Sequence, residues 1–217
     1  MIAKIAAAAL EAGRAIAAVE KGGFKIAEKA DASPVTEADA RAEEIILARL
    51  RDIAPEIPII SEEDAAGSGL PDHAPDRFFL VDPLDGTREF IAGNGEYTVN
   101  IALIEDGRPA LGVVLAPSLG RLFVGAGPGQ AYEALAPDLE EEAAERRRWR
   151  PIGPRKAAAG NLVSLASRSH GDPQTQAYLG RVGARDTLCV GSSLKFCWLA
   201  RGDADLYPRF GPTMEWD

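Results

Sequence analysis

Four acidic residues stand where apolar runs end: Glu62 after Ile57 to Ile60, Asp82 and Asp85 after Arg77 to Val81, and Asp217 as the last residue. Strand ends hold side chains rigidly while opening onto solvent, so carboxylates gathered there can share cations. Carboxylate oxygens are hard ligands, and such a cluster completed by water and substrate phosphate is a usual setting for Mg²⁺. In Asp82-Pro83-Leu84-Asp85, a tight turn marked by Pro83 and Gly86 directs two carboxylates and the Leu84 carbonyl toward one place. Two cations about 3.5 to 4 Å apart can hold the attacking and leaving oxygens of an in-line displacement. Taken singly, Asp82 and Asp85 are also what any turn uses, and Glu62 to Asp64 what a solvated loop uses; only the combination points to metal. The backbone N–H groups of Gly86 and Thr87, at a helix start, suit a phosphate anion. No activated Ser, Cys or His nucleophile is evident, which favours direct attack by water.

The elements that must position these groups follow from spacing. Ile2, Ile5, Ala9, Ala12, Ile16 and Val19 recur at steps of three and four, one face of a helix ended by Gly22 and Gly23. A second helix is predicted from Thr36, with Asp39 as its capping-box partner, through Ile45, Ile46, Leu50 and Ile53 to Pro55. A strand over Ile57 to Ile60 delivers Ser61-Glu62-Glu63-Asp64, and a polar loop around 65 to 76 leads to a strand over Arg77 to Val81. Tyr97 to Ile104, Ala110 to Leu115 and Arg121 to Val124 are β-rich, separated by Asp106-Gly107 and Ser118-Leu119-Gly120, an antiparallel meander.

Residues 1–136 are thus expected to form an α+β domain carrying the metal site. Residues 137–160, with Glu140-Glu141-Glu142 and Arg146-Arg147-Arg148 over 137–154, read as a solvated helix or connector. Residues 161–217 read as an α/β domain: strands near Leu162 to Ala166 and Thr187 to Val190, helices near Pro173 to Leu179 and Leu194 to Arg201. The fold class expected for the whole is α/β.

Composition removes several alternatives. With 46% hydrophobic and 26% charged residues, disorder and membrane spanning are poor fits, and a soluble globular protein is expected. Lys4, Glu11 and Arg14 interrupt the N-terminal apolar stretch, so it is no signal peptide, and a cytoplasmic setting is expected. Cys189 and Cys197 match neither a disulfide framework nor a metal knuckle and are expected as reduced, packed thiols. His73 and His170 are too few for a histidine-rich zinc site. A net charge of −9 argues against a nucleic-acid groove. A small phosphorylated ligand needs only local positive charge, from a few Lys or Arg side chains or from bound cations.

Asp82-Pro83-Leu84-Asp85-Gly86-Thr87 resembles the D-P-(I/L)-D-G-T signature of the inositol monophosphatase superfamily, and Trp216-Asp217 the W-D that opens its second signature. Ser61-Glu62-Glu63-Asp64 lies where that family keeps a metal-binding glutamate, and the resemblance runs from Ser33-Pro34-Val35-Thr36 to the last residue. Gly191 to Cys197 and Leu206 to Thr213 are similar to its bacterial 3'(2'),5'-bisphosphate nucleotidase branch.

The resemblance implies a layered α-β-α-β sandwich of the fructose-1,6-bisphosphatase type, with the site between two halves. It implies that Glu62, Asp82, the Leu84 carbonyl, Asp85 and Asp217 bind two or three Mg²⁺, with Li⁺ inhibiting. Asp39 and Thr87 would orient and deprotonate the attacking water, although Asp39 is equally suited to capping its helix. Asp85, Gly86 and Thr87 would meet the scissile phosphate, and Ser192, Lys195 and Arg209 the nucleotide, the last two taking its second phosphate. Ser167 and His170 would line the nucleoside pocket; a solvated His170 and a Lys195 that is a plain surface charge are the alternatives. The implied reaction is hydrolysis of adenosine 3',5'-bisphosphate to AMP and phosphate, with no nucleic-acid partner and no integral membrane segment. Oligomeric state is left open, a homodimer included. Members of the family continue past W-D with a threonine, an Ala/Gly-rich helix and further strands, so a truncated C-terminal domain is expected here. The other readings are an inositol-phosphate or other sugar-phosphate phosphatase, or a catalytically weak nucleotide-binding truncated form.

Overall fold

The computed structural model describes residues 1–29, 33–157, 160–169 and 171–216. The helix α1 (Ile2–Gly22) presents Ile5, Ala9, Ala12, Ile16 and Val19 as one buried face, as its spacing predicts. A hairpin of β1 (Ile26–Glu28) and β2 (Pro34–Thr36) leads into α2 (Glu37–Ile53). Thr36 caps α2 in a reciprocal box: its hydroxyl accepts from the Ala38 N–H at 3.1 Å, and Asp39 Oδ2 accepts from the Thr36 N–H at 2.8 Å. Next come β3 (Ile59–Ser61), α3 (Glu62–Ser68), β4 (Arg77–Asp85), α4 (Thr87–Ile91), β5 (Thr98–Glu105), β6 (Arg108–Ala116), β7 (Arg121–Gly125), β8 (Ala131–Leu135) and β9 (Arg150–Pro151).

Strands β3 to β9 form one seven-stranded sheet in sequence order, covered by α1 and α2. A Cβ at Gly13 would lie 2.6 Å from Leu115 Cδ2, so the missing side chain lets α1 approach β6 closely. Every pairing is antiparallel except β3 with β4, which run parallel with Ser61 opposite Val81. That single parallel pair has a direct consequence for chemistry. Glu62 and Asp82 lie at the same end of these neighbouring strands, each one residue beyond the last pair of β3 with β4.

The tight turn expected over 83–86 is not there. Strand β4 continues through Asp82-Pro83-Leu84-Asp85, and the chain turns only at Gly86, whose φ of 87° is left-handed. Asp82 pairs with Asn100 and Asp85 with Thr98, so three steps on β4 match two on β5, a one-residue bulge. Residues three apart on a regular strand point to opposite faces. The extra residue brings Asp82 and Asp85 back to one side.

Residues 62–68, expected as strand end and loop, form α3, whose first turn holds Glu62, Glu63 and Asp64. No apolar periodicity marks it, because none of its residues is buried. The 137–154 stretch, expected as a solvated helix or connector, contains two short 3-10 helices, and Ala143, Ala144 and Trp149 join the main core.

The remaining elements are β10 (Val163–Ser167), α5 (Pro173–Val182), β11 (Asp186–Val190) and α6 (Leu194–Arg201). Strands β10 and β11 form a separate parallel pair, with Leu165, Val190, Leu194 and Ala204 packed against Ala116 of the main sheet. Neither cysteine is in a disulfide; Cys197 is packed as expected, whereas Cys189 is exposed because β11 carries no cover over most of its length. No helix among the described residues is long and apolar enough to cross a membrane.

Asp205 ties the segment after α6 to β10. It accepts from Arg155 Nε at 2.9 Å, Arg155 Nη2 at 2.6 Å and the Val163 N–H at 2.7 Å. Arg155 first, then the Val163 N–H, holds its carboxyl near 2 against the usual 3.8. A depressed folded-state value means that these bonds stabilise fully above about pH 4 and are lost as pH falls toward 2. Asp205→Asn should therefore flatten the acid limb of a stability-versus-pH curve in that window; an unchanged limb in urea titrations would refute the assignment.

Candidate active site

Glu62 opens α3, and Asp82 follows Val81, the last residue of β4 that pairs with β3, so parallel pairing brings the two acids to one end of these strands. Lys29 bonds both acids of the first α3 turn, its Nζ lying 2.8 Å from Glu62 Oε1 and 2.6 Å from Glu63 Oε1. Burial pushes the Glu63 carboxyl up to about 7, partly countered by Lys29. Burial would lower the Lys29 ammonium, but its bonds to Glu62 and Glu63 outweigh this and raise it. The start of α3 is held from α2: Glu43 accepts from the Ser61 hydroxyl and, at 3.2 Å, from the Asp64 N–H.

Asp82 is fully buried, and its Oδ1 accepts from the Leu84 N–H at 3.0 Å, a bond that the bulge makes possible. Asp85 reaches the other half of the molecule, its Oδ2 accepting from the Ser193 N–H at 2.5 Å and the Ser193 hydroxyl at 2.7 Å. Thr87 begins the five-residue α4, and its hydroxyl lies 3.2 Å from Asp39 Oδ1 and 3.3 Å from the Leu84 carbonyl. Asp39 therefore caps α2 with one oxygen and meets Thr87 with the other, so the contacts that each expected role needs are both present. Burial raises its carboxyl, and hydrogen bonds from Thr36 and Thr87 pull the other way. Behind α4, Phe90 packs between Phe24 and Tyr97, with ring centroids 4.7 and 5.2 Å away.

Two adjoining clefts open over these groups. One, of about 330 Å³, is lined by Lys29, Glu62, Asp82, Leu84, Asp85, Gly86, Thr87 and Trp216 among others. The other, of about 380 Å³, takes in Glu62, Asp85, Gly86 and Thr87 again and adds Ser167, Ser192, Lys195 and Arg209. Every expected site residue that is described thus lines one cleft or the other, except Asp39, which sits behind Thr87. His170 and Asp217 lie outside the described residues.

Lys195 is no plain surface charge: it is buried, donates to the Ser192 carbonyl and stands over the Tyr207 ring at 5.5 Å from its centroid. Arg209 donates to the Pro212 carbonyl at 2.5 Å and to the Tyr207 hydroxyl at 3.4 Å, while its buried Nε has no hydrogen bond among the described residues. Lys29, Glu89, Ser193 and Tyr207 also belong to the site and were not anticipated. Ser193 carried a signal in the Ser192-Ser193 pair; Lys29, in a polar stretch without periodicity, carried none.

Glu62, Asp82, Leu84 and Asp85 all line the smaller cleft, and among the described residues no histidine or cysteine does. Such a donor set suits a hard divalent cation. Among the described residues no three acidic, histidine or cysteine side chains come together closely enough to hold a metal ion by themselves. The groups ring an open cleft instead, with Lys29 supplying positive charge beside Glu62.

Comparison with known proteins agrees with the geometry. The model of the inositol monophosphatase family matches residues 1–217. The 3'(2'),5'-bisphosphate nucleotidase CysQ of Escherichia coli O157:H7 is 45% identical over 219 residues, which span all of this chain and 83% of the relative. The protein of the same name from Salmonella typhimurium is 46% identical with the same coverage. Among solved structures, CysQ from Bacteroides thetaiotaomicron superposes with a TM-score of 0.80 at 37% identity, covering 99% of this chain and 82% of that one. The suhB protein of Bartonella henselae, at 23% identity and a TM-score of 0.71, shares the fold.

Ser193 joins the halves: besides Asp85, its hydroxyl accepts from Asn100 Nδ2 at 2.7 Å in a fully buried setting. Ser193→Ala leaves both partners short of a bond and should cost about 1–3 kcal/mol. Urea unfolding measures this, and a loss near zero would show that Asp85 does not depend on it.

Proposed function

We propose that this chain, which belongs to the inositol monophosphatase family, hydrolyses adenosine 3',5'-bisphosphate to AMP and phosphate with the help of Mg²⁺. Members of that family are in general metal-dependent. The observation that carries the reading is the pair of adjoining clefts. They share Glu62, Asp85, Gly86 and Thr87, and one adds acidic and carbonyl oxygens while the other adds Lys195 and Arg209. A phosphoester seated at the shared wall would have metal ligands on one side and cationic side chains for a second phosphate on the other. The nucleotidase names of the relatives support the substrate class.

Glu62, Asp82, the Leu84 carbonyl and Asp85 would hold the cations, with Asp217 as a further candidate. A divalent ion there would supply Lewis acidity and neutralise charge on the phosphoryl oxygens. The chain's own part is positioning and proton transfer. With its proton directed at Asp39 Oδ1, the Thr87 hydroxyl turns a lone pair to the cleft and can accept a proton from the attacking water. A buried carboxylate whose affinity for protons is raised, as Asp39's is, serves as the terminal acceptor of that relay. The N–H groups flanking the Gly86 turn, Ser192 and Lys195 would orient the ester and the nucleotide, and Arg209, with an uncommitted Nε–H, would meet the second phosphate. Ser167, which lines the same cleft, would face the nucleoside.

Purified protein should release phosphate from adenosine 3',5'-bisphosphate faster than from inositol 1-phosphate, lose that activity to EDTA and regain it with Mg²⁺, and be inhibited by Li⁺. Faster turnover of inositol 1-phosphate would overturn the substrate, and phosphate release indifferent to EDTA would overturn the mechanism. Thr87→Ala should lower kcat by about 10²- to 10⁴-fold with little change in KM; a purely KM effect would remove Thr87 from the proton relay.

A further inference from the structure

Neither Glu96 nor Arg168 lines either of the two adjoining clefts, yet the two organise the wall that carries Ser167 and Ser192. Glu96 lies between α4 and β5, in the metal-binding half. Its carboxylate accepts both arms of the Arg168 guanidinium, Nε and Nη2, each at 2.7 Å, and also the Gly191 N–H at 2.7 Å. Arg168 Nη2 further donates to the Cys189 carbonyl at 2.6 Å. Arg168 is the residue after Ser167 at the end of β10, and Gly191 the residue before Ser192 at the end of β11. One carboxylate therefore grips the ends of both strands of the small sheet.

The grip is close. A Cβ at Gly191 would lie 2.8 Å from the Glu96 carbonyl and 2.6 Å from Glu89 Cγ, so backbone approaches backbone only because no side chain intervenes. The next residue, Ser192, has a left-handed φ of 47°, a conformation that a serine keeps only when its surroundings impose it. Bonds to Gly191 from one side and to Asp85 through Ser193 from the other enclose that residue.

We infer that Glu96 is a positioning residue for the nucleotide side of the cleft, setting Ser167 and Ser192 relative to the phosphate side through Arg168 and Gly191. The inference rests on the nucleotidase reading, and it assigns Glu96 to the part of the substrate beyond the scissile phosphate. Bidentate, charge-assisted pairs hold geometry more firmly than neutral bonds. Loosening this one should cost affinity for the nucleoside and leave the chemistry at phosphorus alone.

The test compares Glu96→Gln with the parent protein on two substrates: adenosine 3',5'-bisphosphate, and phenyl phosphate, which has no nucleoside. The expected result is a KM for the nucleotide raised about tenfold with kcat within about twofold, and kcat/KM on phenyl phosphate within about twofold. Equal losses on both substrates, or an unchanged nucleotide KM, would overturn the inference. Should Glu96→Gln fail to fold, Arg168→Gln removes the same pair from the other side and carries the same comparison. Failure of the parent protein on the nucleotide refutes the nucleotidase reading by itself. Calorimetric binding of AMP in Mg²⁺ then judges Glu96: about tenfold weaker binding by the variant supports it, whereas equal binding, or no binding by the parent, refutes it.

Discussion

The carboxylate of Asp85 is the point on which this molecule turns. It ends the bulged strand that also carries Asp82, and one of its oxygens takes both the N–H and the hydroxyl of Ser193, more than a hundred residues away. One oxygen thus binds the second half of the molecule, and the residue lines both clefts. A carboxylate so placed must be held by donors, because an unpaired charge there would be expensive. Thr98, from β5, adds to the support at 3.4 Å. Were Asp85 displaced, the two clefts would lose their common reference.

Around it, the site is a set of carboxylates each restrained by a different means. Asp82 is turned by a bulge, Asp39 is engaged in a helix cap, and Glu62 is paired with Lys29 on a helix that Glu43 caps. Burial keeps Asp39, and Glu63 beside Glu62, from ionising as freely as they would in water. A ring of acids around an open cleft is tolerable in the fold on those terms.

Much of this was legible beforehand, and the reasons are specific. The apolar stripe of α1, the capping box of α2 and the meander are local patterns, and local patterns survive folding. Leu194–Arg201 was legible as a helix for the same reason. The Asp82-to-Asp85 segment was read as a turn because Pro83 and Gly86 punctuate turns; only the opposing strand shows that it is a bulge. Helix α3 was missed because it buries nothing, and Glu96 and Lys29 because their partners are distant in sequence. Exposure of Cys189 depends on what does not cover β11, which no feature of β11 itself reveals.

The span of the cleft contacts says something about how this protein comes to be. The hairpins of the large sheet close over a few residues, whereas Glu96 to Gly191 and Asp85 to Ser193 close over 95 and 108. Distant closures cost more chain entropy and accumulate late. The meander is therefore set to organise first, and the catalytic centre comes into being only as the final joints close. Nucleotide present at that moment, by binding only the finished form, would draw the last step to completion. In such a molecule the appearance of turnover marks the end of folding rather than its middle.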